Sequence, residues 1–197
     1  MTRTLFFAAA MAVAGVAQAA GIGVRAGTTG IGADLAWSFA PTLSARLGYS
    51  ALKWNHDVDT SGTNYDGKLK LSNLSGLLDF SPLGPFRITG GVILNDNKYD
   101  LTGRHFSGAT LSGTVKPGRS TAPYLGVGYG NVSGTGVNFY TDFGIIFQGS
   151  PKASLSCSGL SAGACATLVA SEQTRVEDEL KRFKYYPVLN IGLTVGF

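Results

Sequence analysis

The nine residues from Leu189 to Phe197 alternate without a break. Leu189, Ile191, Leu193, Val195 and Phe197 fall on one side of an extended chain; Asn190, Gly192, Thr194 and Gly196 fall on the other. A period of two is the pattern of a β-strand whose faces meet different surroundings. In a soluble protein the apolar face would turn to a core. A last strand closing on an aromatic residue is instead the habit of outer-membrane β-barrels, whose outward face meets lipid. Leu193, Val195 and Phe197 therefore read as an assembly signal for the barrel-assembly machinery.

The other end of the chain points the same way. Arg3 supplies a positive start, Leu5 to Val16 carries no charge, and Ala17-Gln18-Ala19 is a small-x-small cleavage pattern. Residues 1–19 thus read as a secretory signal peptide and 20–197 as one barrel domain. About a dozen apolar residues fall short of the roughly 20 that a bilayer-spanning helix needs. Beyond residue 19 no run approaches such a helix, although 44% of the chain is hydrophobic. The apolar content is spread through short alternating segments. Twenty-eight glycines and eight tyrosines suit tight turns and crowded strand interiors. Without Arg3 the chain holds 15 basic and 12 acidic residues, a net charge of +3. That excess is too small to argue for nucleic acid, and no RNP, helix-turn-helix or zinc-finger spacing supports it.

Turn chemistry divides the rest. Gly27–Gly30, Phe39–Thr42, Ser81–Pro85 and Asn131–Gly134 read as short connections, and 57–64, 102–117 and 149–183 as long ones. Strands are expected near 21–27, 30–39, 43–56, 65–80, 86–101, 118–130, 136–148 and 184–197. Eight is an even count, as a single-chain bacterial barrel requires, and short periplasmic turns would alternate with longer outer loops. The expected fold is all-β: an eight-stranded antiparallel up-and-down transmembrane β-barrel with a short helix in the last outer loop.

Parity then sorts the faces. Val137, Phe139, Phe143, Ile145 and Phe147 oppose Asn138, Tyr140, Asp142 and Gln148; Phe86, Ile88, Val92 and Leu94 oppose Arg87, Thr89 and Asn95. It slips near Leu52–Trp54 and Leu71–Asn73, where bulges or strand ends above the lipid are expected. The inward set holds Arg25, Arg46 and Arg87 with Asp34, Asp79 and Asp142. Buried charges are costly unless paired, so these six imply a salt-bridged plug in an interior that side chains can fill. The plain reading is that the ions only hold the structure together. The sharper one makes them a gate or track for charged solutes.

Cys157 and Cys165 are the only cysteines, and an exported chain meets an oxidising compartment, so a disulfide is expected. A metal site would need further ligands, and no His lies nearby. In 171–183, Val176, Leu180 and Phe183 fall at i, i+4 and i+7, with Ser171 as a candidate cap, acids leading and bases closing. This helix is expected to lie as a lid on the rim. Gly126-Val127-Gly128-Tyr129-Gly130 falls inside a strand and opens no helix, which speaks against phosphate binding. Asn95-Asp96-Asn97 lacks the Gly and closing Glu of a calcium loop. His105-Phe106-Ser107 is similar to the His-x-Ser element of outer-membrane lipid A deacylases. No acid stands near to orient the His, and Gly108 holds the place of the expected Asn, so no catalytic residue, cofactor or metal is assigned.

Several ordered stretches resemble a family of small proteobacterial outer-membrane barrels that includes the carbapenem-susceptibility protein CarO, among OmpA/OmpW-like barrels. They are Gly27–Gly30, Tyr65-Asp66-Gly67-Lys68-Leu69, Asn95–Leu101, Ala122-Pro123-Tyr124-Leu125-Gly126, Gly149-Ser150-Pro151-Lys152 and Tyr186-Pro187-Val188. The resemblance implies eight strands and, for the CarO type, slow uptake of basic amino acids such as ornithine. The expected role is a narrow channel for small solutes in the bacterial outer membrane, acting as a monomer amid lipid and lipopolysaccharide. A non-conducting structural or surface-interaction barrel is the alternative, and a lipid A-modifying enzyme the distant one.

Overall fold

A computed structural model describes residues 19–60, 63–104, 110–159 and 161–197. Residues 1–18 of the expected 1–19 signal segment and the His105–Ser107 element lie outside them. The elements run β1 (Ala19–Gly27), β2 (Gly30–Ala40), β3 (Leu43–Thr60), β4 (Thr63–Leu83), β5 (Phe86–Asn95), β6 (Lys98–Arg104), β7 (Thr110–Lys116), β8 (Thr121–Gly130) and β9 (Gly136–Ile146). β10 (Lys152–Ser158), helix α1 (Ala162–Leu180), a 3-10 turn (Lys181–Lys184) and β11 (Tyr186–Gly196) complete the order.

The expectation of an eight-stranded barrel is corrected. The strands form one antiparallel sheet of eleven, ordered β10-β7-β6-β4-β3-β2-β1-β11-β9-β8-β5, with a further β4–β5 pairing. Hydrogen bonding therefore returns from β5 to β4, and β6, β7 and β10 extend beyond as a wing. The stretch read as one strand over 86–101 breaks at Asp96-Asn97. There the Asn97 amide N–H donates to Asn95 Oδ1, while Asn97 Oδ1 accepts the Ser72 amide. Asparagine side chains take over bonds that a ladder would have made, and the strand ends. Thr110–Lys116 and Lys152–Ser158 fall within the stretches 102–117 and 149–183, read above as long connections. Paired with each other they make β7 and β10.

The tight Gly27–Gly30 connection does turn the chain, with φ of +105° at Gly30, a value that suits only glycine. Register shifts occur at Ser38/Ala40 and Phe80/Leu83, beside the short turns. None interrupts β3–β4, which stays in register from Leu43–Phe80 to Thr60–Thr63. A bulge near 52–54 or 71–73 is thus ruled out; here β3 and β4 run on past β5 towards the wing.

The faces are inverted relative to a soluble sheet. On β11, Val188, Asn190, Gly192, Thr194 and Gly196 are buried while Leu189, Ile191, Leu193 and Val195 are exposed. Ile22, Val24, Leu35, Leu47, Leu78, Ile88, Val127 and Phe143 likewise face outwards from their strands. Buried apolar side chains form two small clusters. One holds Leu77, Ile93, Ala122, Tyr124, Ile146 and Val188, with Tyr186 against it; the other holds Ala36, Val132 and Tyr140.

The expected helix is longer than its period suggested. α1 begins at Ala162, Ser161 stands at its N-cap without a side-chain bond, and no residue of it is buried. Ser171 lies within it and bonds the Leu168 carbonyl rather than capping. Ala162, Ala164, Ala166 and Leu168 favour helix strongly and carry it past the charged segment. α1 packs beside β10. That cover suits the outermost strand, whose free edge would otherwise invite pairing.

Cys157 at the end of β10 bonds Cys165 in the first turn of α1, with Cα atoms 5.5 Å apart and a sequence separation of 8. Closing so short a loop stabilises by about 2–3 kcal/mol in the chain-entropy view. Reduction is expected to loosen α1 and β10 and leave the ring of strands intact. Hydrogen exchange should show faster exchange in 152–180 and in the β7 amides that pair with β10; loss of protection in β1 or β11 would contradict this.

Candidate functional site: a buried charge network

The site is built by alternation. Each strand of the ring turns one parity inwards, so a charged residue at an inward position must find its partner across the interior. Arg25 on β1 sits with Asp34 on β2, Nη1 to Oδ1 at 2.7 Å, and its Nη2 donates to Ser75 Oγ at 3.2 Å. The Tyr140 hydroxyl donates to the other oxygen of Asp34. Arg46 on β3 is wholly buried and reaches two acids. Its Nε lies 2.6 Å from Asp79 Oδ2 and its Nη1 2.7 Å from Asp142 Oδ2. Nη2 donates to the remaining oxygen of each, at 3.0 and 3.1 Å. The planar fork of arginine allows this double bidentate clamp.

Arg87 on β5 completes the layer. Its Nη2 lies 2.5 Å from Asp142 Oδ1, and its Nη1 donates to the Gly130 carbonyl. Nε is 3.3 Å from Asp79 Oδ1 but makes no aligned hydrogen bond. Thr89 Oγ1 donates to Asp79 Oδ1 at 2.5 Å. The Arg46 and Arg87 guanidiniums stand 5.2 and 5.5 Å from the centre of the Tyr140 ring, within cation–π range. All six charges expected to face inwards are buried, and together they balance.

Sequence reasoning placed Tyr140 on the inward face but gave it no part in the network. Its cross-strand partner on β11 is Gly192. A Cβ there would lie 2.3 Å from the ring's Cζ, so the bare glycine makes the space that the ring occupies. An inward tyrosine opposite an inward glycine, two residues from an inward aspartate, is the signal that could have found it.

Cavities flank the network. One of about 320 Å³ opens among the short turns, lined by Ser38, Ser44, Ser81, Ser133 and Arg87. Another of about 240 Å³ lies at the opposite end, beside Leu71, Tyr99, Gln148 and Tyr186. A void of about 10 Å³ lies next to Arg25, Tyr124 and Asp142. That is no more than the space of one water, so a solute cannot pass without movement of the charged side chains. Among the described residues no group of three or more His, Cys, Asp or Glu could hold a metal ion. None of their helices is long and apolar enough to cross a membrane, which says nothing of strands.

No protein-family model and no curated protein matches the chain. Solved structures do, two of them with the same fold similarity. The crystal structure of Acinetobacter baumannii CarO2 matches with a TM-score of 0.66 and 23% identity, covering 91% of this chain and 98% of that one. The chain has the fold of CarO. The crystal structure of A. baumannii CarO itself matches equally, with a TM-score of 0.66 and 23% identity over 90% of this chain and 97% of the other. At that identity the match concerns backbone architecture, and the six charges stand on this chain's own geometry.

Leu193 and Val195 lie outwards on β11, and Phe197 follows the strand, exchanging backbone hydrogen bonds with Ala20.

Proposed function

We propose that the chain is an outer-membrane protein whose strands span the bilayer and whose interior is a narrow, gated path for small cationic solutes. One observation carries the membrane reading: apolar side chains face outwards around the ring while arginine, aspartate, asparagine, serine and threonine fill the inside. In water that arrangement would expose its largest hydrophobic surface for no return. In a bilayer it is the favourable one. The CarO fold supports the same placement, and Leu193, Val195 and Phe197 would serve the assembly machinery.

The path reading rests on the cavities. Arg87 borders the one at the short turns, and its partner Asp142 borders the central void. The charge layer, with the buried cluster of Leu77, Ile93, Tyr124, Ile146 and Val188 beside it, thus stands as the closed segment between the two larger cavities. Asp34, Asp79 and Asp142 would receive a basic amino acid once Arg25, Arg46 and Arg87 yield them. Completeness of the pairing supports the other reading, a permanently plugged and non-conducting structure.

Liposomes carrying the refolded chain separate the two. Lysine or ornithine should enter faster than glutamate or a neutral sugar. In Asp142→Asn, which removes a receiving carboxylate, the preference for lysine over glutamate should fall by roughly tenfold, the effect of ~1.4 kcal/mol. Folded protein that admits nothing above empty liposomes would sink the channel reading and leave the membrane reading standing.

A further inference from the structure

The β3–β4–β6–β7–β10 register brings five lysines into one row. Lys53 pairs opposite Lys70, and Lys70 opposite Lys98. The β6–β7 ladder, with Tyr99 opposite Val115, places Lys116 next to Lys98, and Lys116 pairs opposite Lys152. Directly opposed residues of an antiparallel sheet share a face, so the five side chains project to one side. That side is the outer one, since Lys70 has the parity of Leu74, Leu78 and Phe80 and opposite parity to buried Leu71 and Asn73. At about 4.8 Å per strand the row is roughly 19 Å long.

Like charges directly opposite one another destabilise a sheet, and here there are four such adjacencies in succession. Counter-charge is scarce. Of the five lysines only Lys98 has an acidic partner among the described residues, Asp96, at 3.8 Å and itself largely exposed. Asp100, one row further out, is bonded by Thr114. The position of the row supplies the missing partner. Two rows towards the short turns lie Tyr49 and Leu74, the start of the outward apolar belt. Beyond the row the same face carries Asn55, Lys68, Asp100, Thr114 and Ser154. The lysines mark the line where apolar surface gives way to polar surface, at the end with the long connections.

We propose that this row binds the phosphate groups of an anionic glycolipid, lipopolysaccharide, in the outer leaflet. The inference rests on the membrane reading above. Phosphates at headgroup height would lie against the ammonium groups while their acyl chains run down over Tyr49, Leu74 and Leu94. The repulsion within the row then becomes attraction for a bound polyanion.

The test uses the full chain refolded into neutral phosphatidylcholine nanodiscs, with diphosphorylated lipid A as probe. Binding is followed by native mass spectrometry. Lys70→Gln, Lys98→Gln and Lys116→Gln together should weaken lipid A binding about a hundredfold, at roughly 1 kcal/mol for each lysine near an anionic surface. Lys181→Gln, on the 3-10 turn, should leave it unchanged. Dephosphorylated lipid A should bind the wild type as weakly as the triple variant binds lipid A. Inorganic phosphate at equal concentration should not compete, which separates a lipid site from a free-anion site. Without lipid A the triple variant should be at least as stable as the wild type, because it removes only repulsion. Equal binding by wild type and triple variant, equal binding of both lipids, or competition by free phosphate would each overturn the inference with the membrane reading intact. Failure to insert into any bilayer would overturn both.

Discussion

Arg46→Met is expected to cost about 3–5 kcal/mol of folding free energy, the range for leaving a buried charge without its partner. Arg46 has no solvent-exposed side-chain surface and clamps both Asp79 and Asp142. Methionine fills a similar length but leaves two carboxylates facing Arg87 alone. Urea titration of the refolded protein, read by the shift in gel mobility between folded and unfolded forms, measures the loss. A companion variant makes the cause visible. Arg46→Met with Asp79→Asn restores one cation to one anion in the layer, and should be more stable than Arg46→Met alone although it carries one more change. A single variant costing under about 1 kcal/mol would mean that water reaches the layer and shares the charge.

Gly192→Ala carries the second large effect, at the upper end of the roughly 1–3 kcal/mol expected of overpacking. The added methyl would meet Tyr140 Cζ at 2.3 Å, Cε1 at 2.4 Å and the hydroxyl at 2.5 Å. The ring cannot step aside: it is fully buried, its hydroxyl is bonded to Asp34, and two guanidiniums flank it. In a Tyr140→Leu background the same alanine should cost little, and that non-additivity is the measurement. Gly76→Ala is the control, because a Cβ there meets nothing within 4 Å. If both glycines respond alike, the penalty reflects strand backbone and not the tyrosine.

Much of the ring was legible in alternation, because a residue on the wrong parity would put a charge into the apolar belt. Arg25, Asp34, Arg46, Asp79, Arg87 and Asp142 were placed by that argument alone, without knowledge of their partners. Who pairs with whom was not legible. Arg46 could have met Asp34 as easily as Asp142, since strand order and stagger decide it and neither is local. The wing escaped notice for a different reason. β7 reads Thr-Leu-Ser-Gly-Thr-Val-Lys and β10 reads Lys-Ala-Ser-Leu-Ser-Cys-Ser, with little contrast between faces. Alternation reports a difference of environment, and two strands that meet polar surroundings on one side and a thin apolar layer on the other leave a faint trace. The helix was underestimated because its first half is alanine-rich and lacks the amphipathic period, so propensity alone extends it.

The pairing of β1 with β11, from Gly21 opposite Gly196 to Gly27 opposite Asn190, has a consequence for how the molecule comes into being. The first strand of the sheet is a neighbour of the last, so β1 has one edge that nothing earlier in the chain can satisfy. Strands β2 to β9 can each find a partner while the remainder is still arriving; the ring cannot. Such a contact, separated by almost the whole sequence, is the slowest to form and the last to be rewarded. Until it forms, β1 presents a row of open amide and carbonyl groups to any passing strand. The edge of β9 that β11 also fills stands open for as long, so whatever escorts this chain must guard both edges until β11 arrives between them.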